Sequence, residues 1–118
     1  MKVFVYYNLH KNCFSIRAME GERKGLVIAH TDIVSLTDAV FKVSAAGRAR
    51  VIKEQRKNVH AGVVGDWRRV WVRPDAELTQ VTYNPYAYDS FVAVKTKEPV
   101  YSAQKVLLQG RSIWALLA

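Results

Sequence analysis

The chain has a single cysteine, Cys13, so it can form no internal disulfide and no thiolate cluster for a metal. It has no apolar run approaching the roughly 18 residues a membrane helix requires. The opening Met1 to Tyr7 is too short and too aromatic for a signal peptide, so the expected compartment is the cytoplasm. Only three prolines interrupt 118 residues, and with 24% charged residues the composition is not that of a disordered chain. Half of the residues are hydrophobic, enough for one core, and one domain over 1–118 is expected. Glycine-rich phosphate cradles, a nucleophile elbow and convincingly spaced carboxylate pairs are missing. No cofactor and no metal are expected, since no pair of the three histidines has a short ligand spacing.

Acidic residues are also scarce, 10 against 18 Lys and Arg, which leaves a net charge of +8. Clustered cations release counterions when they neutralise phosphates, so a polyanionic partner is the first expectation. The distribution sharpens it. Lys42, Arg48, Arg50, Lys53, Arg56, Lys57, Arg68, Arg69 and Arg73 face only Glu54 and Asp66 between residues 42 and 73. The same charges would also serve as a solubilising face without a ligand.

Hydrophobic periodicity predicts an α+β fold: a mostly antiparallel β-sheet or partly open barrel with one central amphipathic helix over about 45–56. Residues 2–7 are apolar on both faces; in 13–18, Phe14, Ile16 and Ala18 alternate with Ser15 and Arg17, which makes an opening hairpin. Strands are expected at 26–30, 33–36 and 40–43, then at 59–64 and 68–72 separated by Gly65-Asp66-Trp67. Others follow near 79–83, 90–94, 103–108 and 113–117. Ser44 suits the N-cap of the helix. Ala45, Ala49 and Ile52 make its expected packing stripe, and Arg50, Lys53 and Lys57 a basic one.

Four groups could carry chemistry. At the helix exit, Arg56-Lys57-Asn58-Val59-His60, a strand would put Asn58 and His60 on one face beside two cations, a place for a phosphate; alternatively, Asn58 serves a turn and the backbone satisfies His60. His10, His30 and His60, with Lys57 or Lys11 as charge stabiliser, could supply the acid, base and cation of metal-free phosphoryl transfer if they converge. Alternation puts Arg69, Trp71 and Arg73 on one face, suited to a base stacked over a phosphate track or to cation-π packing. The aromatics from Tyr83 to Phe91 either lock a loop on the core or form a binding patch.

The segments Tyr7-Asn8-Leu9-His10-Lys11, Phe41-Lys42-Val43-Ser44, Gly47-Arg48-Ala49-Arg50-Val51, Arg56-Lys57-Asn58-Val59-His60-Ala61 and Tyr83-Asn84-Pro85-Tyr86 span most of the chain. Together they resemble a family of small uncharacterised proteins of tailed bacteriophages. The resemblance implies a setting, the cytoplasm of an infected bacterium. It also implies action on host nucleic-acid machinery or on a host defence such as a CRISPR system. Its motif residues His10, Lys11, Arg48, Arg56, Lys57, Asn58 and His60 imply a polar site.

Three readings follow. In the first, a non-enzymatic accessory protein binds nucleic acid or a host nucleoprotein complex through Arg48, Arg50, Lys53, Arg56, Lys57, Asn58 and the Arg69, Trp71, Arg73 face. In the second, a metal-independent nuclease or related phosphoryl-transfer enzyme uses His10 or His30 with His60, and Lys57 as the charge stabiliser. In the third, the protein inhibits a host protein by direct contact, the loop from Tyr83 to Phe91 and the cations engaging an acidic or nucleic-acid-binding groove.

Overall fold

The computed structural model describes residues 1–56, 58–68 and 78–117. They form one nine-stranded antiparallel sheet with a single helix, in the order β1 (Lys2–Asn8), β2 (Cys13–Ala18), β3 (Val27–Thr31), β4 (Ile33–Val43), α1 (Ala45–Glu54), β5 (Ala61–Arg68), β6 (Thr79–Thr82), β7 (Val92–Ala93), β8 (Ser102–Gln109) and β9 (Ser112–Leu116). The strand order is β3-β2-β1-β5-β4-β8-β9-β6-β7. Among the described residues β3 and β7 are the outermost strands and do not pair with each other, so the sheet is open and not a closed barrel. No helix of the described residues is long and apolar enough to cross a membrane.

The opening hairpin forms as the alternation predicts. Val3 and Val5 pair with Ala18 and Ile16, and all four are buried on the core face. Asn8 builds the turn: its Oδ1 accepts from the backbone N–H of His10 at 3.0 Å and of Lys11 at 3.1 Å.

The expected strands at 33–36 and 40–43 are one strand, β4. Asp38 adopts a left-handed φ of 50°, and the pairing with β5 slips by one residue between Thr37 and Val40. Val34 and Leu36 before this kink and Ala39 and Phe41 after it differ in parity, yet all four are buried. A bulge is the means by which two pieces of opposite phase share one core face.

Gly65-Asp66-Trp67, expected as a turn, lies inside β5. A Cβ on Gly65 would stand 3.0 Å from the Thr37 carbonyl oxygen and 3.2 Å from the Leu36 Cβ, so the glycine admits a close strand neighbour rather than a chain reversal. The strand expected over 59–64 begins only at Ala61, and Asn58 and His60 precede it without sharing a strand face. The continuation expected over 68–72 lies outside the described residues beyond Arg68.

Helix α1 joins the neighbouring strands β4 and β5. Ser44 caps it as predicted, its Oγ accepting from the Gly47 N–H at 3.1 Å. Gln55, with φ 54°, stops it after Glu54, so the basic stripe read through Lys57 ends at Lys53. The packing stripe also differs from expectation. Gly47 and Val51 are buried, whereas Ala45, Ala49 and Ile52 are exposed. The helix presents its narrowest side because a residue without a side chain lets it approach the chain entering β5.

Candidate functional site

Four of the five motif segments meet around the N-terminal turn of α1. The Ser44 N–H donates to the His60 carbonyl at 2.7 Å, fixing the helix start to the entry of β5. Gly47 lies directly against His60: a Cβ there would be 2.5 Å from the His60 Cβ. One turn of helix exposes Arg48 to the 84–88 loop, where its Nε donates to the carbonyls of Pro85 at 3.0 Å and Tyr88 at 2.9 Å.

His60 is satisfied from both sides. Its Nδ1 lies 2.9 Å from the Asn58 carbonyl, which can only accept, so Nδ1 carries the proton of the neutral ring. Nε2 is then the acceptor for the Tyr83 hydroxyl at 2.7 Å. Tyr83 stacks in turn on Phe91, with centroids 5.2 Å apart, and Phe91 meets Phe41 at 5.1 Å. The aromatic loop is therefore locked on the core; of its rings, Tyr86 alone is exposed, at 62%.

Burial raises the Tyr83 pKa above the ordinary 10.0; the positive charge of Arg48 opposes this and the negative charge of Asp89 adds to it. A phenol held protonated in the folded state loses its advantage once the unfolded chain ionises. Stability from this group is complete below pH 10.0 and falls as pH rises through the higher folded value. Tyr83→Phe is expected to remove this alkaline component from a series of urea melts, while wild type shows it.

Arg48, read from the sequence as a nucleic-acid contact, has its Nε committed to the 84–88 loop. Arg48→Met is expected to cost about 2 kcal/mol in urea unfolding, since a charge-assisted hydrogen bond is lost and two carbonyls lose their donor.

Arg50, Lys53 and Arg56 are exposed and form no hydrogen bond or ion pair with the described residues. Arg50 and Lys53 lie off the buried Gly47 and Val51 face, which is not the Ala45, Ala49 and Ile52 face from which the periodicity set them apart. Lys42 on β4 is exposed nearby in sequence, and Asn58 is exposed. Lys57, Arg69, Trp71 and Arg73 lie outside the described residues.

The three histidines stand apart. His10 is exposed on the β1–β2 turn, and His30 on β3 has its Nδ1 2.9 Å from Ser15 Oγ. Two strands, β2 and β1, separate β3 from β5, so His30 is about 14 Å across the sheet from the β5 entry that carries His60. No hydrogen bond or ring contact joins any two of them. Among the described residues no three His, Cys, Asp or Glu side chains gather as a metal site.

Sequence reasoning missed two polar arrangements. Ser15 is fully buried between β1 and β3, receiving a hydrogen bond from Asn8 Nδ2 at 3.1 Å beside its contact with His30. Arg17 lies over two rings of β1, with its Cζ 5.8 Å from the Phe4 centroid and 5.6 Å from that of Tyr6. The aromatics at alternate positions of residues 2–7 were the available signal, but only the hairpin register puts Arg17 opposite Phe4.

Fold and site together define a small open-sheet protein with one stapled basic helix. Residues 1–116 match the family described as Mycobacterium phage L5 gene 82 protein. The "Gene 82 protein" of Mycobacterium phage L5 is 39% identical over 121 residues, covering 98% of this chain and 95% of that protein. The chain belongs to this bacteriophage family, as the motif segments imply. No solved structure matches it.

Proposed function

We propose that this phage protein binds nucleic acid, free or within a host nucleoprotein complex, in the cytoplasm of the infected cell, as part of host takeover or counter-defence. The observation that carries the reading is the set of Arg50, Lys53 and Arg56, exposed and without partners among the described residues, together with exposed Lys42 shortly before the helix cap in sequence. Cations that no protein anion neutralises are available to phosphates. Arg48 contributes by holding the helix, and Asn58, Lys57 and the segment carrying Arg69, Trp71 and Arg73 extend the same basic stretch of chain.

Binding is favoured over metal-independent cleavage because His10, His30 and His60 belong to different segments of the chain, with His30 engaged by Ser15 and His60 by Tyr83. It is favoured over direct inhibition through the aromatic loop because Tyr83 and Phe91 are occupied in packing. The test is fluorescence anisotropy with labelled DNA and RNA, comparing wild type with an Arg50→Glu, Lys53→Glu double variant. Loss of affinity on charge reversal is expected; equal affinity in the two proteins would remove the reading.

A further inference from the structure

We infer that the outer face of β1 and β2 is a stacking site for single-stranded nucleic acid, built on Phe4, Tyr6 and Arg17. This rests on the nucleic-acid reading above and names the form of the ligand.

The site follows from strand geometry. Val3 and Val5 point into the core, so Phe4 and Tyr6 stand on the opposite face of β1. The hairpin register sets Arg17 against Phe4 and Ser15 against Tyr6. The two rings are 5.9 Å apart and tilted by 34°, both half-buried, and the guanidinium lies over both.

Gly62 makes the arrangement possible. A Cβ at that position would lie 2.6 Å from the Phe4 ring and 2.5 Å from the Val5 carbonyl oxygen, so the bare backbone of β5 is what the ring rests on. Across β5, Lys42 pairs with Gly62 and is exposed; on the other side, His30 pairs with Ser15. The face thus runs from an imidazole through two rings and a guanidinium to an ammonium, across five adjacent strands.

Arg17 shows that this is more than surface packing. Its Nε is buried without a hydrogen-bond partner, and no described residue binds its other nitrogens. A structural arginine normally finds a carboxylate or carbonyl, as Arg48 does. Arg17 is instead held by stacking, and its terminal donors are uncommitted among the described residues. The guanidinium, backed by two half-exposed rings, offers a base a planar stacking surface, and its terminal donors serve the phosphate that follows. A duplex keeps its bases stacked on each other and cannot use such a face, so the matching ligand is a single strand.

The test is anisotropy with labelled oligothymidylate, oligouridylate and a DNA duplex, using wild type, Tyr6→Leu, Tyr6→Phe, Arg17→Met and the Arg50→Glu, Lys53→Glu variant. Tyr6→Leu and Arg17→Met are expected to weaken single-strand binding roughly tenfold each. Tyr6→Phe should bind as wild type, and duplex binding should not change with Tyr6. Amide resonances of β1 and β2 in wild type should shift on titration with the single strand, a readout that requires no variant to fold. The two single-strand probes separate DNA from RNA.

Unchanged affinity in Tyr6→Leu and Arg17→Met, with shifts confined to α1, would overturn the stacking site while leaving nucleic-acid binding through the helix intact. Wild type that binds none of the three probes at low salt would overturn both.

Discussion

Gly47→Ala is expected to destabilise the protein by about 2 kcal/mol, although alanine is the better helix former by about 1 kcal/mol at an ordinary site. The added Cβ would stand 2.5 Å from the His60 Cβ and 3.3 Å from the Ser44 Oγ. Neither neighbour is the free end of a flexible chain. His60 is held by the Asn58 carbonyl and the Tyr83 hydroxyl, and Ser44 is engaged as the N-cap. To admit the methyl group, the helix must lift from the entry to β5, lengthening the 2.7 Å bond from the Ser44 N–H to the His60 carbonyl, or His60 must leave Tyr83. Urea unfolding should show a lower midpoint at an unchanged slope, the mark of lost stability rather than an altered unfolded state. An alanine variant as stable as wild type would show that the helix does not sit on His60.

Salt should act on binding with comparable force. Four exposed cations, Lys42, Arg50, Lys53 and Arg56, contacting duplex phosphates give a slope of about −3.6 in log affinity against log salt, so raising salt from about 50 to 200 mM costs about 150-fold. Reversing Arg50 and Lys53 removes at least two of the contacts; two remaining give a slope of about −1.8 and a loss of about 12-fold over the same range. The shallower slope separates lost phosphate contacts from partial unfolding, which would lower the active fraction without changing the slope. A wild-type affinity flat in salt would mean that these cations do not face phosphate.

Much of the fold was legible because it is local. The β1–β2 hairpin, the Ser44 cap and the strands near 103–108 and 113–117 follow from alternation and turn chemistry within a few residues. The errors arose where a distant neighbour set the outcome. Gly65 signals a turn to a reader of sequence, but it lies in a strand because Thr37 and Leu36 press against it. Ile52 fits a helical apolar stripe, but the helix packs through Gly47 and Val51 because His60 is there to receive a bare backbone.

The candidate site divides in the same way. The exposure of Arg50 and Lys53 is a matter of helical period, but the stripe stops at Lys53 because Gln55 ends the helix. That Arg48 belongs to the scaffold could not be read from its neighbours in sequence, since its partners Pro85 and Tyr88 are 37 and 40 residues away.

By itself, the sequence determined the charge, the segments and the family, because composition and short motifs do not depend on how distant pieces meet. Only the tertiary structure decided which cations are held and which are free, that the histidines stay apart, and that Arg17 rests on Phe4 and Tyr6. Those outcomes depend on strand order and register, which couple residues tens of positions apart through backbone hydrogen bonds and packing.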